Sequence, residues 1–153
     1  MSKIIISDTS CLIALDRINQ LEILQKTFNT IITTNEVQKE FGKPLPAWIS
    51  INEVRNTNKV KELEYTVDKG EASAIALAIE LASSLLILDD LEARHLAKQL
   101  NLTHTGTLGI ILRAKRTGHI KSVKPIIEKM KNTNFSISAK LYQDVLIEAN
   151  EAG

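Results

Sequence analysis

This chain predicts an α/β fold with a central parallel sheet, on three observations. The first is Ile4-Ile5-Ile6-Ser7-Asp8-Thr9-Ser10, an apolar run of β-branched residues that ends on a carboxylate and two hydroxyls. A run that is apolar at every position suits a strand covered on both faces, so the segment reads as the central strand. The second is Leu85-Leu86-Ile87-Leu88, another apolar run, which ends in Asp89-Asp90. The third is the alternation of strand-like and helix-like segments along the chain, the pattern of a parallel sheet wrapped by helices. In open parallel sheets the active crevice lies beyond the carboxyl ends of the strands, so two acidic strand ends are expected on one rim.

Taken in order, the first strand passes into a short helix through about Asp16. Thr9 or Ser10 can cap it, since a hydroxyl oxygen there accepts a free first-turn N–H. The chain turns near Asn19, and Gln20 to Phe28 carries Leu21, Ile23, Leu24 and Phe28 close to helical spacing. A brief strand, Ile31-Ile32-Thr33, follows. Thr34 or Asn35 caps the next helix, about Glu36 to Phe41, and Gly42 stops it. Lys43-Pro44-Leu45-Pro46 is an extended turn, because each proline fixes its own φ and biases its predecessor away from helix.

Trp48 to Val54 reads as a strand, and Asn56 to Asp68 as a polar helix or loop. Gly70-Glu71 opens Ala72 to Leu81, which is nearly apolar all round and therefore a helix packed deep against the sheet. Leu91 to Leu100 is the helix after Asp89-Asp90, Asn101 ends it, and Leu102 to Thr105 is a short strand. Gly106-Thr107-Leu108-Gly109 starts another helix, without the glycine spacing or Gly-Lys-Ser/Thr ending of a phosphate-binding loop. Helices around Pro125 to Lys131 and Ser138 to Glu148 form a helical C-terminal cap. With no repeat or low-complexity tract, residues 1–153 read as one three-layer α/β/α domain.

Composition narrows the class. The chain has 153 residues, 44% of them hydrophobic, and a net charge of +1, as in an ordinary globular domain rather than a disordered one. The single cysteine, Cys11, forms no internal disulfide and falls where a buried first-helix residue would, so a packing role in a reducing cytoplasm is expected. No apolar run is long enough to span a bilayer, and a strand begins too early to leave room for a signal peptide. His95, His104 and His119 are isolated from one another, which leaves little support for zinc or a Ser-His-Asp relay.

The chemistry is therefore expected from carboxylates. Asp8, Glu40, Glu71 and Asp90 would each stand at a strand end or in a neighbouring helix on one side of the sheet. Converging carboxylates repel and raise one another's pKa unless a cation compensates them. Oxygen-only ligands favour a hard ion, Mg2+ or Mn2+, which can activate water for attack on a phosphodiester. Each residue also has a structural alternative. Asp8 can serve a turn or helix cap, Glu71 can offset a helix dipole, and Glu40 competes with Glu36 on the same helix face. Successive strand residues point to opposite faces, so only one of Asp89 and Asp90 would share Asp8's direction in an extended strand.

The order and spacing of these motifs resemble a PIN-domain protein, the fold of many Mg-dependent ribonucleases including VapC-type toxins. The matching stretches are Ile6-Ser7-Asp8-Thr9-Ser10, Val37-Gln38-Lys39-Glu40-Phe41, Gly70-Glu71-Ala72 and Leu88-Asp89-Asp90. Asp89-Asp90-Leu91-Glu92-Ala93-Arg94, Thr105-Gly106-Thr107-Leu108-Gly109 and Ala114-Lys115-Arg116 resemble an uncharacterised branch of predicted nucleic-acid-binding PIN-like proteins. The resemblance implies a PIN-like central parallel sheet, RNA cleavage, frequent dimerisation and an acidic metal site. Asp8, Glu40, Glu71 and Asp90 are its catalytic candidates, and Asp8, Glu71, Asp90 and Asp89 its metal ligands. The chain departs from the commoner toxin pattern in having Glu71 where many members have Asp and Leu88 where a Thr often stands.

From Arg113 onward the chain turns basic, and Lys115, Arg116, Lys121 and Lys124 form either a solvated face or an electrostatic track for RNA. Arg94, four residues after Asp90, either pairs with it or contacts phosphate. The favoured function is a metal-dependent endoribonuclease, the toxin of a toxin–antitoxin pair or a relative, acting as a homodimer with an antitoxin protein as partner. The rival is a catalytically silent PIN-like module that binds RNA or protein. An aspartyl-phosphate phosphatase is disfavoured because Asp8-Thr9-Ser10 lacks a second Asp two positions after the first.

Overall fold

The computed structural model of the chain describes residues 4–152. Residues 1–3 and Gly153 of the expected 1–153 domain lie outside the described residues. Five parallel strands are present among the described residues: β1 (Ile4–Ser7), β2 (Thr30–Thr33), β3 (Ile49–Ile51), β4 (Ser84–Ile87) and β5 (His104–Thr105). They pair in the order β3-β2-β1-β4-β5, so the strand expected to be central is central. Ile5 lies opposite Ile31 on one side and Leu85 on the other. The chain steps outward from β1 to β3 and then crosses to β4, so the strand order reverses beside β1. That is where an open sheet leaves a crevice.

Strand residues alternate between two buried faces. Ile5, Ile31, Leu85 and Ile87 enter one core, whereas Ile6, Ile32, Leu86 and Leu88 enter the other, which is why the strands lack polar alternation. The first face is covered by α1 (Thr9–Arg17), α2 (Glu22–Thr27), α7 (Thr107–Arg116), α8 (Lys124–Lys131) and α9 (Ala139–Glu148). The second is covered by α4 (Thr57–Leu63), α5 (Lys69–Glu80) and α6 (Leu91–Gln99). α3 (Asn35–Phe41) packs on both α1 and α5, joining the layers at the carboxyl edge. The result is the expected three-layer α/β/α arrangement. α5 is the deepest helix, with Ala72 to Ala78 buried without a break, and Ile75 and Leu77 each contribute roughly 1.5–3 kcal/mol by leaving water.

Local details differ from the expectations in three places, and a fourth resolves one that was open. α1 is capped by Asp8, whose carboxylate accepts from Cys11 N, rather than by Thr9 or Ser10. The strand expected over Trp48 to Val54 shrinks to Ile49–Ile51, because the edge strand has only β2 to bond and turns away after Asn52 N reaches Thr33 O. The undecided stretch from Asn56 to Asp68 contains α4, whose Asn56 cap accepts from Lys59 N and whose Val60 and Leu63 are buried. The strand at Leu102 to Thr105 shortens to His104–Thr105. Gly42 ends α3 in the left-handed region at φ +83, as a glycine stop should. Cys11 is fully buried in the core, in line with a packing role.

Candidate metal centre

In a parallel sheet every helix that follows a strand begins at the same rim, so helix N-termini, each with unpaired N–H groups and a positive dipole end, gather there. The rim carboxylates are seated on those N–H groups. Asp8, at the end of β1, accepts from Cys11 N through Oδ1 at 3.0 Å and from Asp89 N through Oδ2 at 3.3 Å. Asp89, just past β4, caps α7 from afar: it accepts from Thr107 N at 2.7 Å and from Thr107 Oγ1 at 2.5 Å. Asp90 caps α6 by accepting from Ala93 N at 3.0 Å. Glu71 and Asp68 form a reciprocal capping box at the start of α5. Glu40 reaches across from α3, accepting from Gly70 N at 3.2 Å and from Thr9 Oγ1 at 2.5 Å.

Capping and site chemistry therefore coincide at these residues, because a carboxylate oxygen that accepts one N–H keeps a second acceptor position. The electrostatics show that the caps do not neutralise the cluster. Burial is the largest influence on Asp8, which is 1% exposed, and the neighbouring Asp89 is next, with Glu71 adding to both. Together they push Asp8 to about 8 against the lowering effect of its two backbone donors. Burial, then Asp68 and Asp90, push Glu71 up to about 7. No Lys or Arg forms an ion pair with Asp8, Glu40, Glu71, Asp89 or Asp90 among the described residues.

The structure thus brings Asp8 and Asp89 into direct contact and sets Glu71 near enough for its charge to act on Asp8 and for that of Asp90 to act on it. Of the pair Asp89 and Asp90 it is Asp89 that neighbours Asp8, whereas Asp90 turns to cap α6; β4 ends at Ile87, so strand alternation does not decide between them. Glu40, not Glu36, is the α3 carboxylate anchored to another element. Arg94 forms no ion pair with Asp90 among the described residues, since Asp90 turns back to cap its own helix. Lys115 is an internal anchor, donating to Glu151 at 2.8 Å and to Ala149 O, rather than a free cation. Arg116 closes α7 roughly 14 Å of helix away from the rim. Lys124 stands beside Lys115, since Glu151 accepts from both Lys115 Nζ and Lys124 N.

Sequence reasoning missed several contributors. Thr107 holds both oxygens of Asp89, Thr9 holds Glu40, and Asp68 completes the α5 cap. Only Asp68 had a local signal, the acidic cap three residues before Glu71. Two glycines clear space for the carboxylates. A Cβ on Gly70 would lie 2.2 Å from Glu40 Oε1, and one on Gly106 would lie 3.0 Å from Asp89 Oδ1.

No three His, Cys, Asp or Glu side chains are grouped as a ready-made metal cage among the described residues. The donors nevertheless fit a hard divalent cation chemically. They are carboxylate oxygens, and the raised proton affinity of Asp8 and Glu71 marks a negative charge that the chain leaves uncompensated.

A family model described as PIN domain matches residues 4–151. No curated protein and no solved structure matches the chain.

Proposed function

Because this chain belongs to the PIN-domain family, whose members are generally nucleases that use divalent metal ions, we propose that it is a metal-dependent endoribonuclease. The observation that carries the reading is the meeting of Asp8 and Asp89 at the carboxyl ends of adjacent strands β1 and β4, with no cation paired to either among the described residues. Asp8, Asp89, Glu71 and Asp90 would hold Mg2+ or Mn2+, with Glu40 beside them. When bound, the ion supplies positive charge that activates water and offsets the charge building on the phosphate.

The chain's own residues do the positioning. Thr107 bonds both Asp89 oxygens, so that carboxylate cannot rotate freely. Cys11 N and Asp89 N hold the two Asp8 oxygens in the same way. Because Asp8 and Glu71 keep their protons to about 8 and about 7, cation binding releases protons and tightens with rising pH. Among the described residues no helix is long and apolar enough to cross a membrane, and the buried free thiol of Cys11 suits a reducing cytoplasm.

The finer reading is the toxin of a toxin–antitoxin pair, acting as a homodimer. The large exposed leucines Leu91 and Leu141 near the site support a covered face. Light scattering well above cellular concentration should give twice the chain mass, and a monomer mass would end that part of the proposal. One observation favours the rival, a silent RNA- or protein-binding module: each oxygen of Asp8 and of Asp89 gives one of its two acceptor positions to the protein, leaving one for any other partner. The deciding experiment is RNA cleavage with Mg2+ or Mn2+, comparing the parent with Asp8→Asn. Cleavage by the parent and none by the variant is expected. A parent that cuts no RNA with either ion leaves the silent module as the better account.

A further inference from the structure

Two cavities flank Asp89, and they differ in charge. The one on the α6–α7–α9 side is walled by Leu108, Leu112 and Leu141 and carries two carboxylates, Asp144 and Glu148, against a single cation, Arg94, so its acids outnumber its bases. The other, about 340 Å3, lies between α1 and the loop joining α8 to α9 and is within the range of small-molecule sites. Its wall combines Arg17, Ser10, Asn134, Phe135 and Ser136 with Asp89. Arg17 Nη1 donates to Thr133 O at 3.3 Å, which ties the loop to α1. Asn134 adopts φ 67, a left-handed conformation that Asn tolerates better than most residues, and it is exposed to solvent.

This is the chemistry of a nucleobase subsite. An aromatic ring, partly buried against the core, lines the wall, an amide supplies both donors and an acceptor, two hydroxyls can do either, and a guanidinium stands ready for the adjoining phosphate. We propose that the cavity receives one unstacked base of a single-stranded RNA whose neighbouring phosphodiester lies over the Asp8–Asp89 pair. The inference rests on the nuclease reading for its substrate class. It adds that the RNA leaves the acidic pair toward Arg17, away from Asp144 and Glu148. It also adds that the α8–α9 loop chooses which strand segments bind, because a base inside a duplex cannot enter.

The test is an abasic scan. A fluorescein-labelled, single-stranded oligoribonucleotide about 12 nucleotides long is made with one base removed at each position in turn. Binding to the parent is followed by anisotropy in EDTA, and cleavage of the same set is followed with Mg2+ or Mn2+. Removing the base at one register should weaken binding about tenfold, and the cleaved bond should adjoin that position. Asn134→Gly, which removes the amide without straining φ 67, and Phe135→Leu, which keeps apolar packing, should each shrink that dip. If no RNA is cut yet the binding scan keeps its dip, the nuclease reading fails and the subsite stands. If RNA is cut but the scan is flat, or if the oligonucleotide does not bind at all, the subsite is overturned.

Discussion

Asp8 and Glu151 are both carboxylates held by two backbone N–H groups, yet their proton affinities move in opposite directions. Glu151 accepts from Val123 N at 2.8 Å and Lys124 N at 3.1 Å, and Asp8 accepts from Cys11 N at 3.0 Å and Asp89 N at 3.3 Å. Burial raises both. At Glu151 the ion pair with Lys115 and the two N–H groups outweigh it, and its pKa falls below the usual range. At Asp8 the nearest charge is Asp89, and its pKa rises to about 8. The difference teaches that hydrogen bonding alone does not mark a carboxylate as structural; the depth of burial and then the sign of the neighbouring charge do. Glu151 is satisfied and locks the C-terminal segment onto α7 and α8, whereas the rim is left wanting a cation.

The largest expected effect would separate these roles outright. Asp89→Asn should cut kcat for metal-dependent RNA cleavage by about 10²–10³ while the fold survives, because one preorganised charge is lost. Glu151→Gln in the same assay should leave kcat within about threefold of the parent at a temperature where both are folded. Equal losses in the two variants would erase the distinction between site and anchor.

Stability should invert that ranking. Glu151→Ala strands the half-buried Lys115 ammonium and two helix N–H groups, and should cost about 2–3 kcal/mol in urea unfolding. Asp8→Asn should instead raise stability by about 1–2 kcal/mol at pH 8 in EDTA, since it removes a buried carboxylate facing Asp89 at the expense of one N–H bond. A destabilised Asp8→Asn under those conditions would contradict the uncompensated rim.

The pH dependence follows from the same signs. Asp8 rises from 3.8 to about 8 and Glu71 from 4.5 to about 7 on folding, so between those values the folded chain keeps protons that the unfolded chain has released. Stability in EDTA should therefore fall as pH rises from about 4 to 8. Millimolar Mg2+ or Mn2+ should flatten that fall by binding the folded rim. Glu151 acts oppositely: its lowered pKa contributes stability above 4.5 that disappears as pH falls through its folded value. Urea titrations across the range, with and without metal, would show both limbs, and a metal-independent curve would count against the cation site.

The smallest effect sharpens the geometry. Thr107→Val keeps the shape at α7 and the backbone bond from Thr107 N, but deletes the hydroxyl bond to Asp89 Oδ2. A loss of about 1 kcal/mol in stability is expected by urea unfolding, together with a fall in kcat rather than a rise in KM. An unchanged kcat would show that Asp89 needs no second tether.

Much of this was legible in the residues themselves. The uninterrupted apolar runs Ile4-Ile5-Ile6 and Leu85-Leu86-Ile87-Leu88 carry the two-sided burial of β1 and β4, and Ala72 to Ala78 carries the depth of α5. The rim was legible because each of these segments ends or begins on an acid. Thr107 and Thr9 were not, because their partners Asp89 and Glu40 are 18 and 31 residues away. A hydroxyl in a first turn looks the same whether it caps its own helix or holds a distant carboxylate.

The sequence by itself determined the α/β class, the central place of β1 and the set of acids offered to one edge, because periodicity and strand ends are local properties of the chain. Only the tertiary structure decided which acids meet. Asp89 contacts Asp8 because β4 stops before it, Glu40 docks because Gly70 leaves it room, and Lys115 is taken by Glu151 from 36 residues away. Coulomb interactions depend on distance in space and on burial, and neither is written in the order of residues.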